Sequence, residues 1–144
     1  MLSGTLESAS AMRGEVSCGL VLFGEATQAT EPHTLVALNQ LAADNCHAVL
    51  IGDHLQLAPT VKCQIADEAG LGRSLLERLV PLPGMDVSIL TTQYRMHETI
   101  CSWPSSEYYG GLLIRDESLA RRDCVSGFPW PRGARVTLVH VHGK

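Results

Sequence analysis

The sequence has no apolar run approaching the ~18–20 residues that a membrane-spanning helix needs, and no charged-then-apolar signal pattern follows Met1. The chain is therefore expected to be soluble, with no membrane partner. Lysine is scarce beside arginine and the formal charge is −4, so no broad basic surface exists to hold nucleic acid through counterion release. Any nucleic-acid contact must be local. The five cysteines (Cys18, Cys46, Cys63, Cys101 and Cys124) are odd in number and form no C-x-x-C pair, which excludes a disulfide framework and a zinc site of the usual spacing. A reducing, intracellular compartment follows. The densest basic cluster is only Arg121-Arg122, too short for a nuclear-type basic run, so cytoplasm and nucleus both stay open. Internal repeats and low-complexity tracts are missing as well.

What is present is apolar material for one ordinary core: 45% hydrophobic residues in a chain of 144. Cys18 to Phe23 is a short β-branched and aromatic run bounded by glycine, the pattern of a strand buried on both faces. From Glu31 the residues Leu35, Val36, Leu38, Leu41 and Ala42 recur at helical spacing, with Pro32 in the first turn. A helix ending near Asp44 is predicted. His47 to Ile51 reads as a second buried strand, and strand, helix, strand implies a right-handed parallel crossover. Gly70 to Val80 repeats the helical pattern, with Ser74 and Glu77 spaced as a capping box. Val87 to Thr92 supplies a third strand, Ile100 to Tyr109 a short helix and Ala134 to Val141 a last strand, while Gly110 to Arg132 reads as a connection.

In open α/β sheets, ligands gather beyond the carboxyl ends of the strands. Three polar clusters stand there: Gly24 to Gln28, Gly52 to Pro59 and Gln93 to His97. In this order, with a helix between the first two, they resemble motifs II, III and IV of Upf-like superfamily 1 helicases, whose patterns are D-E-A-x-Q, G-D-x-x-Q-L-P-P and Q-Y-R-M-H. Thr30 to Pro32, Ala69 to Leu71, Ser74 to Leu79, Ser102 to Pro104 and Tyr108 to Leu112 agree with the same family, and Leu2 to Gly4 resembles the end of its preceding serine-threonine strand. The likeness covers nearly the whole chain.

The resemblance implies an α/β fold, a partial RecA-like P-loop NTPase with a parallel sheet and flanking helices, incomplete at both ends. Residues 1–96 would form the carboxyl-terminal part of the first RecA-like domain, and residues 97–144 the inter-domain connection and first strand of the second. It further implies a piece of an ATP-dependent helicase that uses ATP and Mg2+, moves 5′ to 3′ on single-stranded RNA or DNA, and works with the remainder of the motor. Within that likeness Glu25 orients and polarises the attacking water. Asp53 and Gln56 sense the γ-phosphate and relay it to the nucleic-acid groove. Tyr94 stacks near the adenine and Arg95 serves as an arginine finger, since charge spread over phosphate oxygens suits a planar multidentate donor. Gln28 either touches the γ-phosphate or stabilises its loop.

Each residue also has a plainer reading. Glu25 alone is an exposed loop acid, Asp53 and Gln56 a capped turn, Tyr94 a half-buried core aromatic and Arg95 a surface ion pair. His54, His97, His140 and His142 are read as structural, because no third ligand lies near the His140/His142 pair.

The sequence departs from the family at several places. Gly24 occupies the place of the motif II aspartate, so no metal ligand is expected there. Ala58 and Glu98 replace prolines of motifs III and IV, and no G-x-x-x-x-G-K-S/T is present to cradle phosphates. The isolated chain is accordingly expected to be inactive and to bind neither ATP nor Mg2+ tightly. A degenerate module that uses the fold for interaction alone is the rival expectation.

Overall fold

The computed structural model describes residues 17–121 and 126–131, together with residues 4–6, 8, 134 and 136–142. Leu2, Cys124 and Arg135, and with them parts of the Leu2 to Gly4 stretch and of the strand predicted over Ala134 to Val141, lie outside the described residues. The chain divides into two compact units, Met1–Val87 and Ser88–Lys144.

In the first unit β1 (Cys18–Phe23) leads to α1 (Glu31–Leu41), which passes directly into β2 (Ala42–Leu50). Pro32 at the start of α1 costs no hydrogen bond, because the first-turn N–H groups have no intrahelical partner. The strands pair in parallel, with Leu20 opposite His47 and Phe23 opposite Leu50, as a strand–helix–strand unit requires. The register shifts between Cys18 and Leu20. The excess residues of β2 are absorbed there, with Asn45 at φ 61, a left-handed conformation that asparagine tolerates. α1 stops at Leu41 rather than running to Asp44, because Ala42 is already extended and pairs with Cys18.

Val21, Phe23, Ala26, Ala37 and Leu76 form the core. Burial of β1 is one-sided, contrary to the expected burial on both faces: Val21 and Phe23 are 8% exposed, but Leu20 and Leu22 are 56% and 57% exposed. Ala37 of α1 and Leu76 of the following helical region cover one face of the two-stranded sheet, while the opposite face, carrying Leu22 and its partner Val49, stays open. The same geometry overturns the reading of His47 to Ile51 as a buried strand.

Beyond β2 come a short α2 (Gln64–Ala66) continuing into a π-helical turn (Asp67–Leu71), then α3 (Leu75–Leu79). The helix predicted from Gly70 to Val80 is thus broken. Gly70 at φ 98 leaves helical space, and α3 starts afresh at Ser74, whose hydroxyl oxygen accepts the Glu77 N–H at 3.1 Å. Such a cap contributes about 1 kcal/mol.

Arg78 of α3 donates two hydrogen bonds of 2.7 Å, one to each carboxylate oxygen of Glu31 in the first turn of α1. The bond from Arg78 holds the Glu31 carboxyl below its usual range, and Glu31 in turn raises Arg78. A depressed carboxyl pKa means that the pair stabilises the fold above the unfolded glutamate value, about 4.3, and that this contribution is lost as pH falls through the lower folded value. Both side chains meet solvent, so screening keeps the effect modest. Glu31→Gln is expected to reduce the difference in urea midpoint between about pH 6 and about pH 3; an unchanged difference contradicts this.

In the second unit β3 is only Thr92–Gln93, not the strand expected from Val87. A strand needs a partner, and among the described residues only these two of the segment find one, in β4 (Ile114–Arg115), which pairs in parallel. Ile89 and Leu90 remain 66% and 87% exposed. Between β3 and β4 runs α4 (Glu98–Tyr108), and a 3-10 turn (Glu117–Arg121) follows β4. The segment from Gly110, expected to be a bare connection, therefore supplies the partner strand. Residues 136–142 form no strand, and Leu138 is 95% exposed, against the expectation for Ala134 to Val141. Among the described residues no helix is long and apolar enough to cross a membrane.

Candidate functional site

At the end of β1 the chain turns sharply through Gly24–Thr27. Ala26 and Thr27, each 3% exposed, are drawn inward, which leaves Glu25 and Gln28 on the surface. The Ala26 N–H donates to the Ile51 carbonyl at 2.9 Å, and the Ile51 N–H to the Phe23 carbonyl at 2.8 Å. The turn is thereby laced to the end of β2. Glu25 takes φ 52, a left-handed conformation disfavoured for a residue with a Cβ. Its carboxylate accepts the Gln28 Nε2 at 3.2 Å, and its carbonyl accepts the Gln28 N–H at 2.9 Å. Gln28 is thus held against Glu25 within the loop, with its side chain on the surface.

After β2 the pattern repeats. Asp53 Oδ1 accepts the Leu55 N–H at 3.0 Å, and Asp53 Oδ2 accepts Gln56 Nε2 at 2.6 Å. This is an Asx turn, and it fixes Asp53 and Gln56 side by side. Because β1 and β2 are parallel, both carboxylate–amide pairs emerge at the same end of the sheet.

Gly52 makes that close juxtaposition possible. A Cβ at this position would lie 3.1 Å from the backbone nitrogens of both Ala26 and Thr27 and 3.3 Å from Thr27 Cγ2. Backbone cannot yield as a side-chain tip does. Gly52→Ala is expected to part the two loops and cost about 1–3 kcal/mol of stability, read as a lowered Tm with faster amide exchange at Ala26. Unaltered melting and exchange contradict the assignment.

Gly24 contrasts with Gly52. Nothing lies within 4 Å of a Cβ built on it, and its φ is not positive. No carboxylate stands beside Glu25 at this position, and among the described residues no group of three His, Cys, Asp or Glu is arranged to hold a metal ion. Gly24 itself offers no oxygen to a magnesium ion, which takes carboxylates and water in an octahedron.

The second unit carries Gln93, Tyr94 and Arg95. Tyr94 is 63% exposed, so it is not the half-buried core aromatic of the plainer reading. Arg95 is exposed too. Both sit in a bend between β3 and α4, and His97 caps α4 by accepting the Thr99 N–H on Nδ1 at 3.3 Å. Gln93 belongs to the third polar cluster, yet sequence reasoning gave it no task. Its side-chain oxygen accepts the Arg95 N–H at 3.0 Å and the Met96 N–H at 2.7 Å, while Nε2 donates to the Met96 carbonyl at 2.7 Å. The His140 and His142 rings meet edge-to-face at 4.5 Å.

Two family models, each described as an AAA domain, match residues 3–64 and 71–144. The chain is 43% identical over 112 residues to Regulator of nonsense transcripts 1 of Dictyostelium discoideum, covering 78% of this chain and 8% of that protein. It is 36% identical over 126 residues to the ATP-dependent helicase NAM7 of Saccharomyces cerevisiae, covering 86% of this chain and 13% of the other. With the 3'-5' exoribonuclease HELZ2 of Mus musculus the figures are 41% over 123 residues, 85% and 4%. The chain thus spans a small part of the length of each of these relatives. Two AAA-domain models that together take in most of the sequence, and 36–43% identity to these relatives over most of this chain, establish that the chain belongs to the AAA-domain family, among the Upf-like superfamily 1 helicases.

Proposed function

We propose that this chain is a segment of the ATP-hydrolysing motor of a nucleic-acid helicase, with residues 1–96 belonging to its first RecA-like domain and residues 97–144 leading into the second. The observation that carries the reading is the paired loops at one end of the β1–β2 sheet, where Glu25 and Asp53 are each held by a glutamine three residues on. Phosphoryl transfer is largely a matter of positioning and electrostatics, and these loops offer rigid, solvent-facing groups for both. Glu25 is assigned the attacking water, held by its strained turn so that the carboxylate faces outward. Asp53, Gln56 and Gln28 are assigned to the γ-phosphate side, Tyr94 to the adenine and Arg95 to the phosphate charge.

ATP supplies the transferred phosphoryl group in this proposal, and single-stranded RNA or DNA, held chiefly through its backbone, is the track, read 5′ to 3′. The isolated chain is assigned no turnover of its own, and the motor is an intracellular one. The complete motor is assigned ATP together with Mg2+, but no step is assigned to the ion here, because Gly24 offers no oxygen where a carboxylate ligand is needed. That absence favours a second reading, a module that keeps the fold for interaction without hydrolysis.

The test is ATP hydrolysis by full-length NAM7 carrying residues 1–144 in place of its matching segment, with and without single-stranded RNA. A Gly24→Asp form stimulated by RNA supports the motor reading. A chimera that binds RNA but stays inactive with Gly24→Asp supports the module.

A further inference from the structure

Gln93 sits at the hinge between a strand and the bend that carries two exposed, chemistry-bearing side chains. Its backbone is fixed: β3 pairs with β4, and the Gln93 carbonyl accepts the Asp116 N–H at 3.1 Å. Its side chain then reaches forward over the bend. One amide oxygen takes the N–H groups of Arg95 and Met96, and the amide nitrogen returns a bond to the Met96 carbonyl. Three hydrogen bonds from a single side chain thus close a ring around residues 94–96. On the other side, the His97 ring caps α4 through the Thr99 N–H and lies 2.6 Å from the Thr99 hydroxyl. The bend is clamped at both ends.

A surface bend of three residues has no core to hold it, and each residue whose backbone is fixed in one conformation loses conformational freedom. Fixing the backbone N–H of Arg95 and both peptide groups of Met96 removes that freedom before any ligand arrives. An amide is the side chain suited to this, since it carries an acceptor and a donor on one planar group. Glutamate keeps the acceptor and loses the donor; leucine keeps the size and loses both.

We infer that Gln93 is a positioning residue that pre-sets the backbone of Arg95, so that the guanidinium meets phosphate charge without a search for its place. Gln93 makes none of these bonds to Tyr94, so its effect is directed at the charge that develops during transfer and much less at adenine binding. The inference rests on the finger role proposed above for Arg95.

The direct measurement is amide exchange in the 144-residue chain: Gln93→Leu speeds exchange at Arg95 and Met96, whereas Gln93→Glu leaves part of the protection. The functional measurement uses the full-length chimera in its Gly24→Asp form. There Gln93→Leu lowers kcat by about 10²-fold, the loss that a displacement of about 1 Å brings, while KM for ATP moves less than about threefold. Gln93→Glu recovers part of the rate. In an Arg95→Ala background Gln93→Leu costs nothing more, because its whole effect passes through Arg95. Two results overturn the inference alone: unchanged kcat in Gln93→Leu with a lowered kcat in Arg95→Ala, or losses that multiply in the double variant. Full kcat in Arg95→Ala overturns the finger reading and, with it, this inference.

Discussion

Arg95→Ala, placed in the Gly24→Asp chimera, is expected to lower ATP turnover by about 10³-fold or more while weakening ATP affinity by less than about tenfold. The asymmetry follows from when the guanidinium acts. In the ground state, phosphate charge is already shared with solvent and the rest of the site; during transfer, charge shifts onto the oxygens that a planar, multidentate donor is shaped to meet. Arg95 is carried on an exposed bend whose backbone Gln93 fixes, so the donor arrives with little reorganisation. Steady-state kinetics and nucleotide titration on the same preparations check the prediction. Equal, modest falls in rate and affinity would make Arg95 an ordinary ground-state contact.

The second large effect concerns Gly24. Gly24→Asp in the chimera is expected to raise turnover by about 10²-fold, the contribution that one well-placed electrostatic group makes in such sites. Sterically the substitution is free: nothing lies within 4 Å of the new Cβ, and Gly24 does not occupy the left-handed conformation that only glycine favours. The residue is exposed at the carboxyl end of β1, so the added side chain enlarges no core position. A carboxylate there adds the ligand type that magnesium takes. Turnover measured against magnesium concentration for the two forms is the check. Equal rates at every concentration mean that the glycine was never a deficit.

Much of this was legible in the sequence because it is local. The strand Cys18 to Phe23 and the helix starting at Glu31 follow from short-range patterns, and the Ser74 cap follows from a hydroxyl three residues before Glu77. The three polar clusters follow from their places after strand-like runs. What failed depended on partners far along the chain. Two-sided burial of β1 requires an element on each face, and only one face is covered by the described residues. Val87 to Leu90 has the composition of a strand but forms no ladder among the described residues. The same holds for residues 136–142.

Two features of the site were invisible for a different reason. Gly52 reads as loop punctuation in sequence, whereas its contact with the Ala26 and Thr27 backbone exists only once β1 and β2 are aligned. Gln93 reads as one more member of a motif. Its three side-chain bonds depend on the bend folding back over it, and no spacing rule encodes that.

The most direct test of the account is the role of Glu25 as the carboxylate that orients the attacking water. Glu25→Gln keeps the shape of the side chain and removes its charge, and in the Gly24→Asp chimera it isolates that one group. Single-turnover ATP hydrolysis is expected to fall by about 10²–10⁴-fold, the range for loss of a positioned base, with ATP affinity unchanged within about threefold. Hydrolysis that stays within about threefold of the Gly24→Asp form contradicts the account, because a rigid, outward-facing carboxylate at the end of β1 would then be an ordinary loop acid.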